Sequence, residues 1–378
     1  MSCSRERIAK LRAACAGDGI DAFYARNTSD IRWLTAFDGV FDEERAHALM
    51  VARHAVKMHT DSRYAEAARR AAHVAGGVVE IDDARTTHAK FAICEAGIAE
   101  EYRDDAAAEF VLGIEDELPL REYRALEQEV AEGAQAVALR ETDGFVQRLR
   151  AVKDADEIAR MREAQVVTDA AFAHIVTFVK PGMTEREVQI ELDDFMRRNG
   201  AEGLAFPSIV ATGANGASPH AIPGATRLEA GQCVVMDFGA RAAGYCSDMT
   251  RTVFLGQPSA RMRDAYEAIC AANEQVEALL APGITGKQAH ELAEKVLAAH
   301  GLEGKMGHAL GHGVGIDIHE EPTLSPRNDE PLVEGNVVTV EPGVYLPGEF
   351  GMRLEDFGVI TADGFDVFTK SSHEMVIL

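Results

Sequence analysis

The sequence predicts an α+β protein in two domains, a smaller α/β domain over 1–144 and a larger one over 145–378 built from two pseudo-symmetric halves. Three observations carry this expectation. Helix-like and strand-like segments alternate in the first part, a block of sequence recurs at one offset in the second, and an apolar hairpin with two acids follows each copy of that block. A chain of 378 residues can bury a sizeable core in each domain.

In the first part, to about Gln135, Arg5 to Ala16 reads as an amphipathic helix and Ala22 to Tyr24 as a short strand after Gly-Ile-Asp. Ala48 to Arg53, Val78 to Ile81 and Glu109 to Gly113 read as further strands, and Leu120 to Ala131 as a helix. Trp33 is expected in the core or in a wall between domains. His54, His59, His73 and His88 have no acidic cluster at ligand spacing and read as surface or structural residues. Phe145 to Lys153 reads as a linker strand or short helix. Asp154 and Asp156 then precede Glu157-Ile158-Ala159, a helix start favoured by the dipole of the peptide units.

The repeat lies beyond this point. Ala159-Arg160-Met161-Arg162-Glu163-Ala164 returns as Ala260-Arg261-Met262-Arg263-Asp264-Ala265, and Pro181-Gly182-Met183-Thr184 as Pro282-Gly283-Ile284-Thr285, both 101 residues on. The helices that follow keep Val188 in step with Ala289, Phe195 with Val296 and Met196 with Leu297, until Gly200 and Gly301 end them. Each half therefore reads as helix, Pro-Gly turn, helix, strands.

Val234 to Val253 forms the first hairpin. Asp248, Thr250 and Thr252 alternate onto one face. A loop centred between Ala242 and Ala243 sets Asp237 opposite Asp248, with Cβ atoms about 4.5 to 5.5 Å apart. Like charges so placed destabilise a sheet, so a buried pair needs a proton or a cation between them. An exposed pair would not, but Val234 to Met236 and Phe238 surround Asp237 with apolar residues. The second hairpin runs from Val337 through Glu341 to a Pro347-Gly348 turn and back through Arg353 and Glu355. Centring its turn on Gly348 sets Glu341 opposite Glu355, with Arg353 on the same face.

Composition excludes some partners. Lys+Arg 38 against Asp+Glu 62 gives a net charge of −24, which disfavours nucleic acid and anionic membranes. The six cysteines form no Cys-x-x-Cys pair, no apolar run approaches the roughly 20 residues of a membrane span, and the N-terminus lacks a secretory pattern. A cytoplasmic protein is expected.

Four carboxylates brought together by two related hairpins call for cations, and two divalent ions would balance them. His308 and His312 have the spacing of a helical zinc pair, but Gly307, Gly311, Gly313 and Gly315 favour a strand or loop. A phosphate cradle is the weaker reading of these glycines, since Met306 rather than Ser or Thr follows Lys305.

The chain here resembles the pita-bread metallopeptidases, in their prolidase and aminopeptidase P branch. The resemblance rests on Phe206-Pro207-Ser208-Ile209-Val210 with Asn215 and Pro219-His220, on Met236-Asp237-Phe238-Gly239 with Ser247-Asp248-Met249-Thr250-Arg251-Thr252, and on Gly311-His312-Gly313-Val314-Gly315. His319-Glu320-Glu321-Pro322, Thr339-Val340-Glu341-Pro342-Gly343 and Met352-Arg353-Leu354-Glu355-Asp356 complete it. Asn27 to Phe37 and Thr60-Asp61-Ser62-Arg63-Tyr64 are similar to the creatinase-type N-terminal domain of that branch.

The resemblance implies a pita-bread catalytic domain that hydrolyses the Xaa-Pro bond of dipeptides or short proline-containing peptides through a metal-activated water, as a homodimer. It implies Asp237, Asp248, His312, Glu341 and Glu355 as ligands of two metals, Asp248 and Glu355 bridging, with Glu341 also the general base. His220 and His319 would polarise the scissile carbonyl and stabilise its oxyanion, and His308 and Arg353 would line the substrate cleft. Four carboxylates and one imidazole place manganese first, with cobalt, iron or zinc as alternatives. Creatinase-like non-peptidases of the same fold and a catalytically silent peptide-binding module are the competing readings.

Overall fold

The computed structural model describes residues 3–42, 44–102, 109–133 and 136–378, so Gln135, where the sequence reading ends the first alternation, lies outside them. The chain divides into two compact units, Met1–Arg150 and Ala151–Leu378.

The first unit is a mixed six-stranded sheet with helices. Its strand order is Glu80–Asp82, Val56–His59, Ala48–Ala52, Ala22–Ala25, Phe110–Glu115, Val137–Thr142. Ala22–Ala25 is buried along its whole length, and Tyr24, Met50, Phe91, Leu112 and Leu126 pack in the core. Asn27 caps the helix Thr28–Thr35 by accepting from the amides of Ser29 and Asp30, and Ala36 ends it in the left-handed region at φ 53°. Trp33 on that helix is core, with the Arg7 guanidinium 5.1 Å from its ring centroid. His59 and His88 contact each other, Nδ1 to Nδ1 at 2.7 Å. The short helix Phe145–Arg150 closes the unit, its Arg150 paired with buried Asp30 at 2.6 Å.

The second unit carries the repeat into three dimensions. Helices Ala155–Phe178 and Glu185–Arg198 recur as Ala260–Leu279 and Gly286–Ala299. Thr184 and Thr285 open the second helix of each half with the same reciprocal capping box, to Glu187 and Gln288. Val188, Leu192 and Met196 are fully buried in one core, and Ala289, Ala293 and Leu297, each 101 residues on, in the other. The first core packs against the sheet ordered Val376–Ile377, Met249–Phe254, Cys233–Phe238, Ile209–Thr212. The second packs against the sheet ordered Glu320–Leu324, Gly311–Gly313, Val337–Val340, Asp356–Thr361, Gly364–Val367.

The second hairpin has the expected register. Val340 faces Asp356 and Gly343 faces Arg353, which leaves Glu341 across from Glu355 between the two ladders. The first hairpin does not: Asp237 faces Thr250, not Asp248. The turn sits one residue further along than expected, on Ala243 and Gly244, at φ 48° and 81°. Two left-handed residues make the tight hairpin turn that matches strand twist, and alanine is not a residue that advertises it. A slip of two leaves every side chain on its face, so Asp248 still shares the side of Asp237. Among the described residues no helix is long and apolar enough to cross a membrane.

Candidate metal centre

The five residues expected as ligands sit at strand ends or in a short central strand. Asp237 lies near the end of Cys233–Phe238, Asp248 just before Met249–Phe254, and His312 in the middle of Gly311–Gly313. Glu341 follows Val337–Val340 and Glu355 precedes Asp356–Thr361. Donor atoms of Asp248, His312 and Glu355 lie within 4.8 Å of one another. His312 Nε2 is 3.5 Å from Asp248 Oδ2 and 3.5 Å from Glu341 Oε1.

The tautomer of His312 follows from its other nitrogen. Nδ1 lies 3.0 Å from the Gly313 carbonyl, which can only accept, so Nδ1 holds the proton and Nε2 turns its lone pair toward the acids. Burial lowers its pKa to about 4, which keeps the ring neutral near pH 7.

One cation stands among the four carboxylates. Arg353 reaches Asp237 Oδ2 at 2.5 Å, Thr250 Oγ1 at 3.0 Å and Glu341 Oε2 at 3.9 Å. Thr250 donates to Glu355 Oε2 at 2.6 Å, and Thr339 donates to Glu341 at 3.3 Å while accepting from the His312 amide. Burial is the first cause that raises Asp248 and Glu355 well above the usual carboxylate range, and neighbouring acids push them further. Burial also raises Glu341 to about 8, and it raises Asp237 against the opposing pull of Arg353. Asp237 Oδ1 is buried without a hydrogen-bond donor. Converging acids, a lone pair aimed among them and an orphaned carboxylate oxygen together fit hard divalent cations.

All nine residues singled out in the sequence line one cavity of about 630 Å³. His220 and His319 are exposed to it, and the His319 ring meets that of His312 edge-on at 4.4 Å between centroids. His308 Nδ1 donates to the Ala309 carbonyl at 2.6 Å, so its Nε2 accepts from the Tyr345 hydroxyl at 3.1 Å. Arg353 donates to the same hydroxyl at 2.7 Å. The sequence reading gave no role to Tyr345 or Thr339. Alternation onto the face of Asp248 and its place in the motif over 247–252 were the signals for Thr250.

The sequence profile of metallopeptidase family M24 matches residues 159–362, and that of the creatinase/prolidase N-terminal domain matches residues 7–152. The uncharacterized peptidase YqhT of Bacillus subtilis is 35% identical over 376 residues, covering 98% of this chain and 100% of that one. Two solved structures superpose over almost the whole chain. One is an Xaa-Pro dipeptidase from Bacillus anthracis, with TM-score 0.89, 35% identity and coverage of 99% of this chain and 100% of that chain. The other is an X-Pro aminopeptidase from Thermotoga maritima, with TM-score 0.82, 30% identity and coverage of 95% and 98%.

Proposed function

The chain belongs to metallopeptidase family M24, and from that premise we propose that it is a metal-dependent peptidase hydrolysing the Xaa-Pro bond of dipeptides or short peptides. The observation that carries this reading is the convergence of Asp248, His312 and Glu355 beside the unsatisfied Oδ1 of Asp237, in the wall of a cavity large enough for a short peptide. Divalent cations, when bound, neutralise the carboxylates and make water nucleophilic near neutral pH.

Asp237, Asp248, His312, Glu341 and Glu355 would hold two such ions. Glu341 accepts the proton shed by the attacking water, a task that needs a carboxylate within hydrogen-bond reach. His220 and His319, open to the cavity, donate to the carbonyl oxygen as it gains charge. His308, set by Ala309 and Tyr345, and Arg353 border the bound peptide.

Manganese is our first choice of metal because the donors are mostly oxygen, with cobalt, iron and zinc next. We place the enzyme in the cytoplasm, a location supported by six unbridged cysteines, and we expect a homodimer, to be measured by sedimentation. The functional test compares an Xaa-Pro dipeptide with an Xaa-Pro-Yaa tripeptide on protein of known metal content. Chelation should abolish hydrolysis and manganese or cobalt should restore it. Full turnover by metal-free protein would overturn the reading.

A further inference from the structure

We propose that Glu185 is a positioning residue for His220: its buried carboxylate ties down both ends of the segment that carries this histidine, and so sets the rate of the chemical step. The proposal rests on the peptidase reading above.

Glu185 is the first residue of the helix Glu185–Arg198, directly after the Thr184 cap. An acid there complements the helix dipole, but that benefit needs no burial, and Glu187 two residues on stays exposed. Glu185 is 0% exposed. Its Oε1 accepts from the Thr212 amide at 3.0 Å and from Asn215 Nδ2 at 2.9 Å. Its Oε2 accepts from Asn215 Nδ2 at 2.9 Å and from the Gly224 amide at 3.1 Å. Thr212 ends the strand Ile209–Thr212 and Gly224 lies on the far side of His220. One carboxylate thus pins the segment at its start, near its middle and at its end.

No lysine or arginine pairs with Glu185 among the described residues, so amide donors alone offset the cost of burying its charge. The other half shows that the repeated fold does not require this acid. At the equivalent position stands Gly286, where a Cβ would lie 2.2 Å from the Thr323 carbonyl oxygen. There the segment after His319 packs straight onto the helix start: Asn328 Nδ2 donates to the Thr323 carbonyl at 2.7 Å and the Lys287 amide to the Asn328 carbonyl at 2.9 Å. Equivalent helix turns therefore anchor both histidine-bearing segments by a backbone bond, the Arg186 amide to the Gly224 carbonyl at 3.2 Å matching the Lys287 amide to Asn328, and the His220 side adds a carboxylate to it. Glu185 adds bonds to Thr212 and Asn215 that Gly286, with no side chain, cannot make.

The test is a double-mutant cycle on metal-loaded protein with Glu185→Ala, His220→Ala and the pair, reading kcat, KM, bound metal and thermal unfolding. Glu185→Ala should lower kcat by about 10²-fold, the scale of a displaced catalytic group, with metal content kept. Added to His220→Ala it should cost less than about 2-fold, because the group it positions is already gone. Glu185→Gln, which keeps an acceptor oxygen, should fall between. If Glu185→Ala does not fold, Asn215→Ala removes two of the four bonds and should show the same non-additivity. An equal loss in both backgrounds, or unchanged kcat in Glu185→Ala, overturns the positioning role alone. An inactive wild type overturns the peptidase reading and the proposal with it, whereas His220→Ala as active as wild type overturns the proposal and leaves the peptidase reading standing.

Discussion

The two hairpins of the catalytic unit share a path but not a chemistry. In the first, Thr250 faces Asp237, and the same count sets Asp248 across from Gly239. In the second, Glu355 and Arg353 take the places across from Glu341 and Gly343. A faithful copy would have put a hydroxyl at 355 and an acid at 353. The second hairpin instead brings a cation, and Arg353 sends it to Asp237 of the first. The first returns one: Arg251, on Met249–Phe254, pairs with buried Asp356 of the second at 2.7 Å. Duplication accounts for the register, and divergence at a few register positions makes the charges close on each other.

The largest test of this asymmetry is on Glu341, the equivalent of Asp237. Glu341→Gln should reduce Xaa-Pro hydrolysis by about 10²- to 10⁴-fold, measured as kcat on metal-saturated protein. Arg353→Met tests the exchange between hairpins. Removing one member of a buried pair costs about 3–5 kcal/mol, read as a lower denaturation midpoint, and adding Asp237→Asn should recover part of it. If the second substitution recovers nothing, the pairing does not carry the stability.

Smaller effects sharpen the comparison. Thr250 holds the carboxylate of its register twin Glu355, so Thr250→Val should weaken metal binding or activity about 10- to 100-fold, followed by metal titration. At the returning pair, a hydrogen bond from His373 to Asp356 at 2.6 Å raises the histidine above its ordinary 6.5. A raised histidine stabilises the fold fully below 6.5 and loses that contribution as pH climbs through the raised value. Unfolding midpoints should therefore drop on the alkaline side of 6.5 in the wild type and change less in His373→Asn.

How much was legible follows from the kind of signal each element sends. Gly348 at φ 80° marks its turn by residue type, so the second hairpin could be registered from sequence. Ala243 at φ 48° does not, and the first was placed two residues off. The repeat was visible because buried positions recur at a fixed offset. In the first unit, Thr28–Thr35 is only eight residues long, and the strand Val137–Thr142 carries exposed Arg140 and Glu141. Neither has a hydrophobic period long enough to read. Acids and histidines announced the centre by type. The hydroxyls of Tyr345 and Thr339, and the carboxylate of Glu185, act through geometry that only the folded chain supplies.

The crossed arginines also bear on what a severed polypeptide could do. Cut at Gly256-Gln257-Pro258, the catalytic unit would yield two fragments, one with Arg251 parted from Asp356 and the other with Arg353 parted from its nearest acid, Asp237. Neither could dry its interior alone, so refolding should depend on fragment concentration and proceed only when both are mixed. By the same logic, a forebear one hairpin long would have needed a second copy of itself.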